Sequence, residues 1–240
     1  VVALMSGGAV SSPWVEANAD AVLWTGFNGQ FSGAGLFDVL SGRTNPGGRL
    51  PYTVPADVAQ LPVITNYNYD PQSQDAQDGM GRTYRYINLT SQAPLYPFGF
   101  GRSYTSWRYD NLQMVRTAGV CAPVQVTVGL TNSGTRNGSE VAQMYVANEK
   151  PQYPSPRWAL AGFERVDLAP GETQLVNFTL DALARAEVRE EDYERWVMPT
   201  SVRVFVGGGQ PDQKPEHTTS NILDAALTIT GVATKLSDCR

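Results

Sequence analysis

From about residue 108 to residue 231 the sequence returns again and again to alternation of apolar and polar side chains. This period of two constrains the fold more than any other feature of the chain. In PVQVTVGL, Val124, Val126, Val128 and Leu130 alternate with Gln125, Thr127 and Gly129. EVAQMYVAN places Ala142, Met144 and Val146 on one face, and QLVNFTL does the same with Val176, Phe178 and Leu180. SVRVFVG contributes Val202, Val204 and Val206, and AALTIT contributes Ala225, Leu227 and Ile229. Turn residues separate these runs: Asn132-Ser133-Gly134, Asn137-Gly138, Ala169-Pro170-Gly171 and Gly207-Gly208-Gly209. Each run has one apolar face to bury, and stacking two sheets buries them all.

Counting YDNLQMV and WALAGFERVDL, the segment holds about seven strands in roughly 120 residues, the pattern of an immunoglobulin- or fibronectin type III-like β-sandwich. Residues 1–107 read differently, as an incomplete α/β domain with long irregular connections. VVALM (Val1–Met5) is a β-branched, apolar run of the kind that forms a buried parallel strand. Such a strand needs neighbours on both sides, which predicts sheet partners upstream or on another polypeptide. Ser12 and Pro13 form a helix start, AVLWTG a second strand, and Leu36, Val39 and Leu40 share one face of a helix that stops at Gly42. From Arg43 to Tyr104 no period is sustained, so this stretch is expected to wrap over a core rather than form one. Residues 232–240 read as a tail.

Composition narrows the partners. The 240 residues carry a net charge of −5, and lysine occurs only at 150, 214 and 235. An acidic, lysine-poor surface repels phosphate backbones, so nucleic acid is excluded as a partner. With 42% hydrophobic residues the chain is no disordered acidic tail, and its longest apolar run is too short to span a bilayer. Three sequons occur, at Asn88, Asn137 and Asn177. Asn137 lies in an Asn-Gly turn, Asn177 on the polar side of its alternation, and Asn88 before a Gln-Ala-Pro loop, so all three are expected to be exposed glycan acceptors. Cys121 and Cys239 either stand as separate thiols or form one disulfide tying the tail to the start of the sandwich. With the sequons, they point to a secreted, extracellular protein.

Few residues offer chemistry of their own. His217 is the single histidine, set in a polar stretch without a G-x-S-x-G elbow, so no serine-hydrolase arrangement is readable. Two cysteines and one histidine give no metal spacing, and no cofactor is predicted. Gly207–Gly209 lacks the Lys-Ser/Thr of a phosphate loop, and the glycines from Gly26 to Gly35 read as a tight strand-to-helix connection. The carboxylates Glu187, Glu190, Glu191, Asp192 and Glu194, interleaved with Arg189 and Arg195, read as a solvated face. Asp38, mid-helix, reads as pairing locally. The aromatics of the first half suit either packing beneath the wrap or stacking on sugars.

Several strings, taken in order, resemble glycoside hydrolase family 3. AVLWTGFNGQFSGAGLFDVLSGRTNPGGRLPYT (Ala21–Thr53) is similar to the end of that family's α/β-sandwich domain, most specifically in its G-x-x-G-Q and N-P-x-G-R-L-P-x-T elements. GRTYRY (Gly81–Tyr86) and PLYPFGFGRSYT (Pro94–Thr105) resemble the segment leading into the next domain. ALAGFERVDLAPGET (Ala159–Thr173) looks like the signature of the family's fibronectin type III-like domain. The resemblance divides the chain into 1–107, the end of the α/β domain with a wrapping linker, and 108–231, the sandwich. Arg102 stands where the family's PFG-x-G-L-S-Y-T pattern usually has Leu, placing a charge at a domain boundary.

The resemblance implies part of a retaining exo-β-glycosidase whose nucleophilic Asp comes from an N-terminal TIM-like barrel and whose acid/base Glu lies upstream of VVALM. No catalytic residue therefore falls within this sequence, and the barrel becomes the expected partner, with carbohydrate as the substrate. Arg49, Arg82 and Arg85 lie in the family-like strings and are expected to anchor loops through bidentate pairs. The wording around LPVITNY and GRTYRY leans to the β-xylosidase kind, with β-glucosidase close behind. The alternative is a non-catalytic carbohydrate-binding or matrix-structural module built on the same fold.

Overall fold

Ser12 caps the first helix as its sequence demands. The Ser12 hydroxyl accepts a hydrogen bond from the Val15 amide, and Pro13 occupies the first turn, where its missing N–H costs nothing. The computed structural model describes residues 1–62, 83–87, 93–153, 155–189, 191–211, 213 and 219–239. His217, Asn88, Arg82 and Glu190 lie outside them. The first half runs β1 (Val2–Leu4), α1 (Pro13–Asn18), β2 (Val22–Trp24), α2 (Ser32–Leu40) and the short α3 (Tyr84–Ile87). β1 and β2 pair in parallel, Val2 opposite Val22 and Leu4 opposite Trp24. The VVALM strand is only half-buried rather than buried, because β2 is its single neighbour. Leu36 and Val39 are likewise half-covered and Leu40 is exposed, so the apolar face of α2 meets no full partner among the described residues. Gly42 ends the helix at φ +75°, and Asp38 pairs locally with Arg43 at 3.7 Å.

The second half is built of strands, with short 3-10 turns at Leu183–Arg185 and Leu236–Asp238. In chain order come β3 (Trp107–Gln113), β4 (Thr117–Gly119), β5 (Val124–Asn132), β6 (Gly138–Asn148), β7 (Ala159–Leu168) and β8 (Thr173–Leu180). β9 (Glu187–Val188), β10 (Arg195–Val197), β11 (Ser201–Gly207), β12 (Ile222–Thr230) and β13 (Thr234–Lys235) follow. A three-stranded sheet, β3-β5-β8, faces a five-stranded one, β4-β12-β11-β6-β7. The alternating residues named from the sequence, from Val124 to Ile229, are buried between them, Val126, Val128, Leu130, Met144, Val202, Val204, Val206 and Leu227 with no exposed surface. Removing so many aliphatic side chains from water, at about 2 kcal/mol each, drives the two sheets together.

The structure decides between the two cysteine readings and corrects one reading of the charge run. The tail 232–239 is folded: β13 pairs with β10, and Cys239 forms a disulfide with Cys121, Cα atoms 5.0 Å apart. The bond closes a span of 118 residues, which restricts the unfolded chain by about 5 kcal/mol in the loop-entropy account. Glu187, read as part of a solvated face, is 2% exposed. Its carboxylate accepts from the Asn148 side-chain amide at 3.0 Å and from the backbone amides of Gln152 and Tyr153, both at 2.9 Å. The charge run gave no sign of this, because β9 turns Glu187 inward while Glu191, Asp192 and Glu194 stay at the surface.

Candidate functional site at the seam between the halves

β6 is buried on both of its faces, which makes it the hinge of the arrangement. Ala142, Met144 and Val146 face the sandwich core, while Gln143 and Tyr145 lie under the wrapping segment. The wrap is itself a narrow ladder: Leu50 donates to the Phe100 carbonyl at 2.9 Å, Gly99 to Leu50 at 2.8 Å and Val54 to Tyr96 at 2.8 Å. From this ladder the Arg49 guanidinium enters the end of the sandwich. It bonds the Gly101 carbonyl with one nitrogen and Oε2 of Glu140 with another. Both side chains are almost sealed from water, 6% exposed for Arg49 and none for Glu140. The other carboxylate oxygen, Oε1, accepts from the Tyr109 hydroxyl at 3.1 Å.

Burial pushes the Glu140 carboxyl up, against the pull of Arg49 and of the Tyr109 hydroxyl. Burial also drives the Tyr109 hydroxyl well above its ordinary range, and the neighbouring carboxylate adds to that, so Tyr109 stays a neutral donor. Arg49 thus anchors the wrap as expected, but its two contacts go to a carbonyl and a carboxylate rather than bidentately to one acid. Arg85 instead lies 5.9 Å over the Tyr84 ring. The charge of Arg102 is accommodated at the surface, 6.0 Å over Phe100.

Around this pair the seam is polar and largely hydrogen-bonded, although Arg49 Nε and the Tyr52 hydroxyl are buried without a partner among the described residues. The Gln143 amide donates to the carbonyls of Gly99 at 3.1 Å and Gly208 at 3.2 Å, and its oxygen accepts from the Tyr145 hydroxyl at 2.7 Å. Gln210 donates to the Phe98 carbonyl at 2.9 Å while accepting from the Trp158 indole at 3.1 Å. Tyr84 stacks on Phe98 at 4.8 Å, and its hydroxyl oxygen accepts from the Leu160 amide at 3.0 Å. Close approach needs glycine at two places above all. Gly99 sits at φ +79°, where a side chain would collide with Gln143, and a Cβ on Gly208 would strike the Glu140 carboxylate. Glu140, Gln143, Gln210 and Tyr109 were not singled out from the sequence. One signal was available: Glu140 holds the inward parity of the β6 alternation, where an acid needs a buried partner.

The sequons fare separately. Asn137, at the β5–β6 turn, and Asn177, in the middle of β8, are both exposed. The Asn177 side-chain oxygen accepts from Thr127 at 2.7 Å, and the Asn137 backbone carbonyl accepts from the Asn45 side chain at 3.2 Å. No three metal-ligating side chains gather among the described residues, and none of their helices is long and apolar enough to cross a membrane.

Residues 1–104 match the Glycosyl hydrolase family 3 C-terminal domain and residues 140–210 the Fibronectin type III-like domain. "Thermostable beta-glucosidase B" of Acetivibrio thermocellus is 35% identical over 213 residues, 88% of this chain and 28% of that protein. A "Beta-xylosidase" of Formosa agariphila is 33% identical over 208 residues, 86% of this chain and 28% of that protein. Among solved structures, the beta-glucosidase of Kluyveromyces marxianus in complex with glucose superposes with a TM-score of 0.82 at 27% identity, over 98% of this chain and 27% of that one. The GH3 beta-glucosidase of Bifidobacterium adolescentis gives 0.80 at 29% identity, over 94% and 32%. The chain spans little more than a quarter of the length of these curated relatives. With both domain types in order along one chain, and a sandwich joined to the α/β segment through the seam, this chain belongs to glycoside hydrolase family 3.

Proposed function

We propose that residues 1–240 form the scaffold portion of a retaining exo-β-glycosidase of the β-glucosidase or β-xylosidase kind, with both catalytic carboxylates on segments outside this sequence. Retaining hydrolysis requires two carboxyl groups about 5–5.5 Å apart across the scissile bond. The buried acids among the described residues, Glu140 and Glu187, are instead committed to Arg49, Tyr109, Asn148 and backbone amides. The observation that carries the reading is the unfinished β1–β2 sheet and the apolar side chains beside it. Trp14, Phe27 and Phe31 are 72%, 84% and 77% exposed, a surface that fits the remaining strands of an α/β domain and a barrel beyond it. The seam would then hold the sandwich at a fixed angle to that domain. The alternative of a free-standing binding module draws no support from relatives named as β-glucosidases and a β-xylosidase.

An oxidising compartment outside the cytoplasm fits the Cys121–Cys239 bond, and glycans would occupy Asn137 and Asn177, whose positions are open to solvent. The test compares residues 1–240 with the longer protein bearing a barrel, on nitrophenyl β-D-glucoside and β-D-xyloside. Hydrolysis is expected from the longer protein and none from 1–240; turnover by 1–240 itself overturns the proposal.

A further inference from the structure

Residues 232–239 form a strap whose hold on the rest of the fold is concentrated in one covalent bond. β13 pairs with β10 over two residues, Lys235 opposite Trp196 and Thr234 opposite Val197. Lys235 Nζ lies 2.9 Å from Glu194, with both side chains substantially exposed, so this ion pair contributes little. The turn Leu236–Asp238 closes on itself through the Cys239 amide and the Leu236 carbonyl at 3.1 Å. None of these residues joins the sandwich core. Leu236–Asp238 also lies against β10, and the one covalent hold is the disulfide to Cys121, whose two cysteines are both partly exposed.

The other end of that bond is held independently. The neighbouring Ala122 carbonyl accepts from Arg185 at 2.7 Å, and Arg185, itself 2% exposed, also bonds the Asp181 carbonyl at 3.0 Å. Cutting the disulfide therefore leaves the Cys121 loop seated while freeing the strap. β10, the central strand of β13-β10-β9, would become an edge, with Arg189 still stacked 4.2 Å over Trp196.

We propose that Cys121–Cys239 is a redox clip: oxidised, it seals the β10 edge; reduced, it releases the strap while the sandwich stays folded. An external dithiol would open it by exchange. One thiolate attacks a cystine sulfur, the second thiol closes the reductant's own disulfide, and Cys121 and Cys239 leave as thiols, two electrons and two protons having passed to the protein. A chain in a reducing compartment would thereby become nickable at Lys235.

The experiment reduces the folded protein, alkylates the thiols, removes the reductant and follows tryptic cleavage after Lys235 alongside amide hydrogen exchange. A Cys121→Ser/Cys239→Ser variant, never treated with reductant, runs in parallel. Cleavage at Lys235 is expected to rise at least tenfold in both, with Met144 and Val204 amides still protected. An unchanged cleavage rate would overturn the clip by showing the strap held without its bond. Loss of protection across β6 and β11 would overturn it too, by showing that the bond supports the whole sandwich.

Discussion

Replacing Arg49 by Met puts the seam to a quantitative test. The substitution keeps the aliphatic stem and removes the charge from a pair 6% and 0% exposed. Glu140 then keeps the Tyr109 hydroxyl but must either remain a buried anion without its cation or take up a proton. Breaking one partner out of a buried pair costs about 3–5 kcal/mol. At roughly 2–4 °C per kcal/mol for domains of this size, that is a fall in melting temperature on the order of 10 °C. The cost should be greatest at neutral pH and shrink on acidification, because a protonated Glu140 no longer needs the cation. Arg49→Met/Glu140→Leu removes both charges and is expected to recover at least half of the loss, so the two single substitutions will not add. Scanning calorimetry on the four proteins of the cycle reads this directly. Additive effects, or a shift below about 2 °C for Arg49→Met, would refute the reasoning that the two halves are locked by this pair.

Gly99→Ala forces a side chain into φ +79° and against Gln143, and is expected to cost about 2–3 kcal/mol by urea denaturation. Gly33→Ala, in the exposed helix α2 with open space around it, is expected to stabilise by about 0.5–1 kcal/mol in the same assay. Burial raises the Glu187 carboxyl above its ordinary 4.5, against the three hydrogen bonds that favour the anion. Its contribution to stability is therefore full below 4.5 and lost as the pH climbs through the raised value. Glu187→Gln should flatten that part of the melting-temperature profile between pH 4 and 7; an unaltered slope would exclude Glu187 as its source.

The sandwich was legible because period two is enforced residue by residue: a strand that buries Val202, Val204 and Val206 in the core turns Arg203 and Phe205 to the opposite face. The helix start at Ser12 was legible for a similarly local reason, a hydroxyl placed three residues before an orphan amide. The seam was not, since its bonds join residues such as Arg49 and Glu140 that lie 91 positions apart and follow no period. Glu187 reads as solvated from sequence because a charged residue carries the same letter whether it meets water or two backbone amides. The strap was hidden by its brevity, two residues of strand being too few to show alternation. What the family resemblance added was order along the chain, which no single contact could supply.

A strand that packs on both faces has a practical corollary for anyone who cuts or grafts this protein. Severing the chain near residue 107 would produce a sandwich with all its own core residues and yet strip Gln143 and Tyr145 of their cover. A transplanted sandwich must travel with residues 43–105 or be given a new, polar outer face on β6.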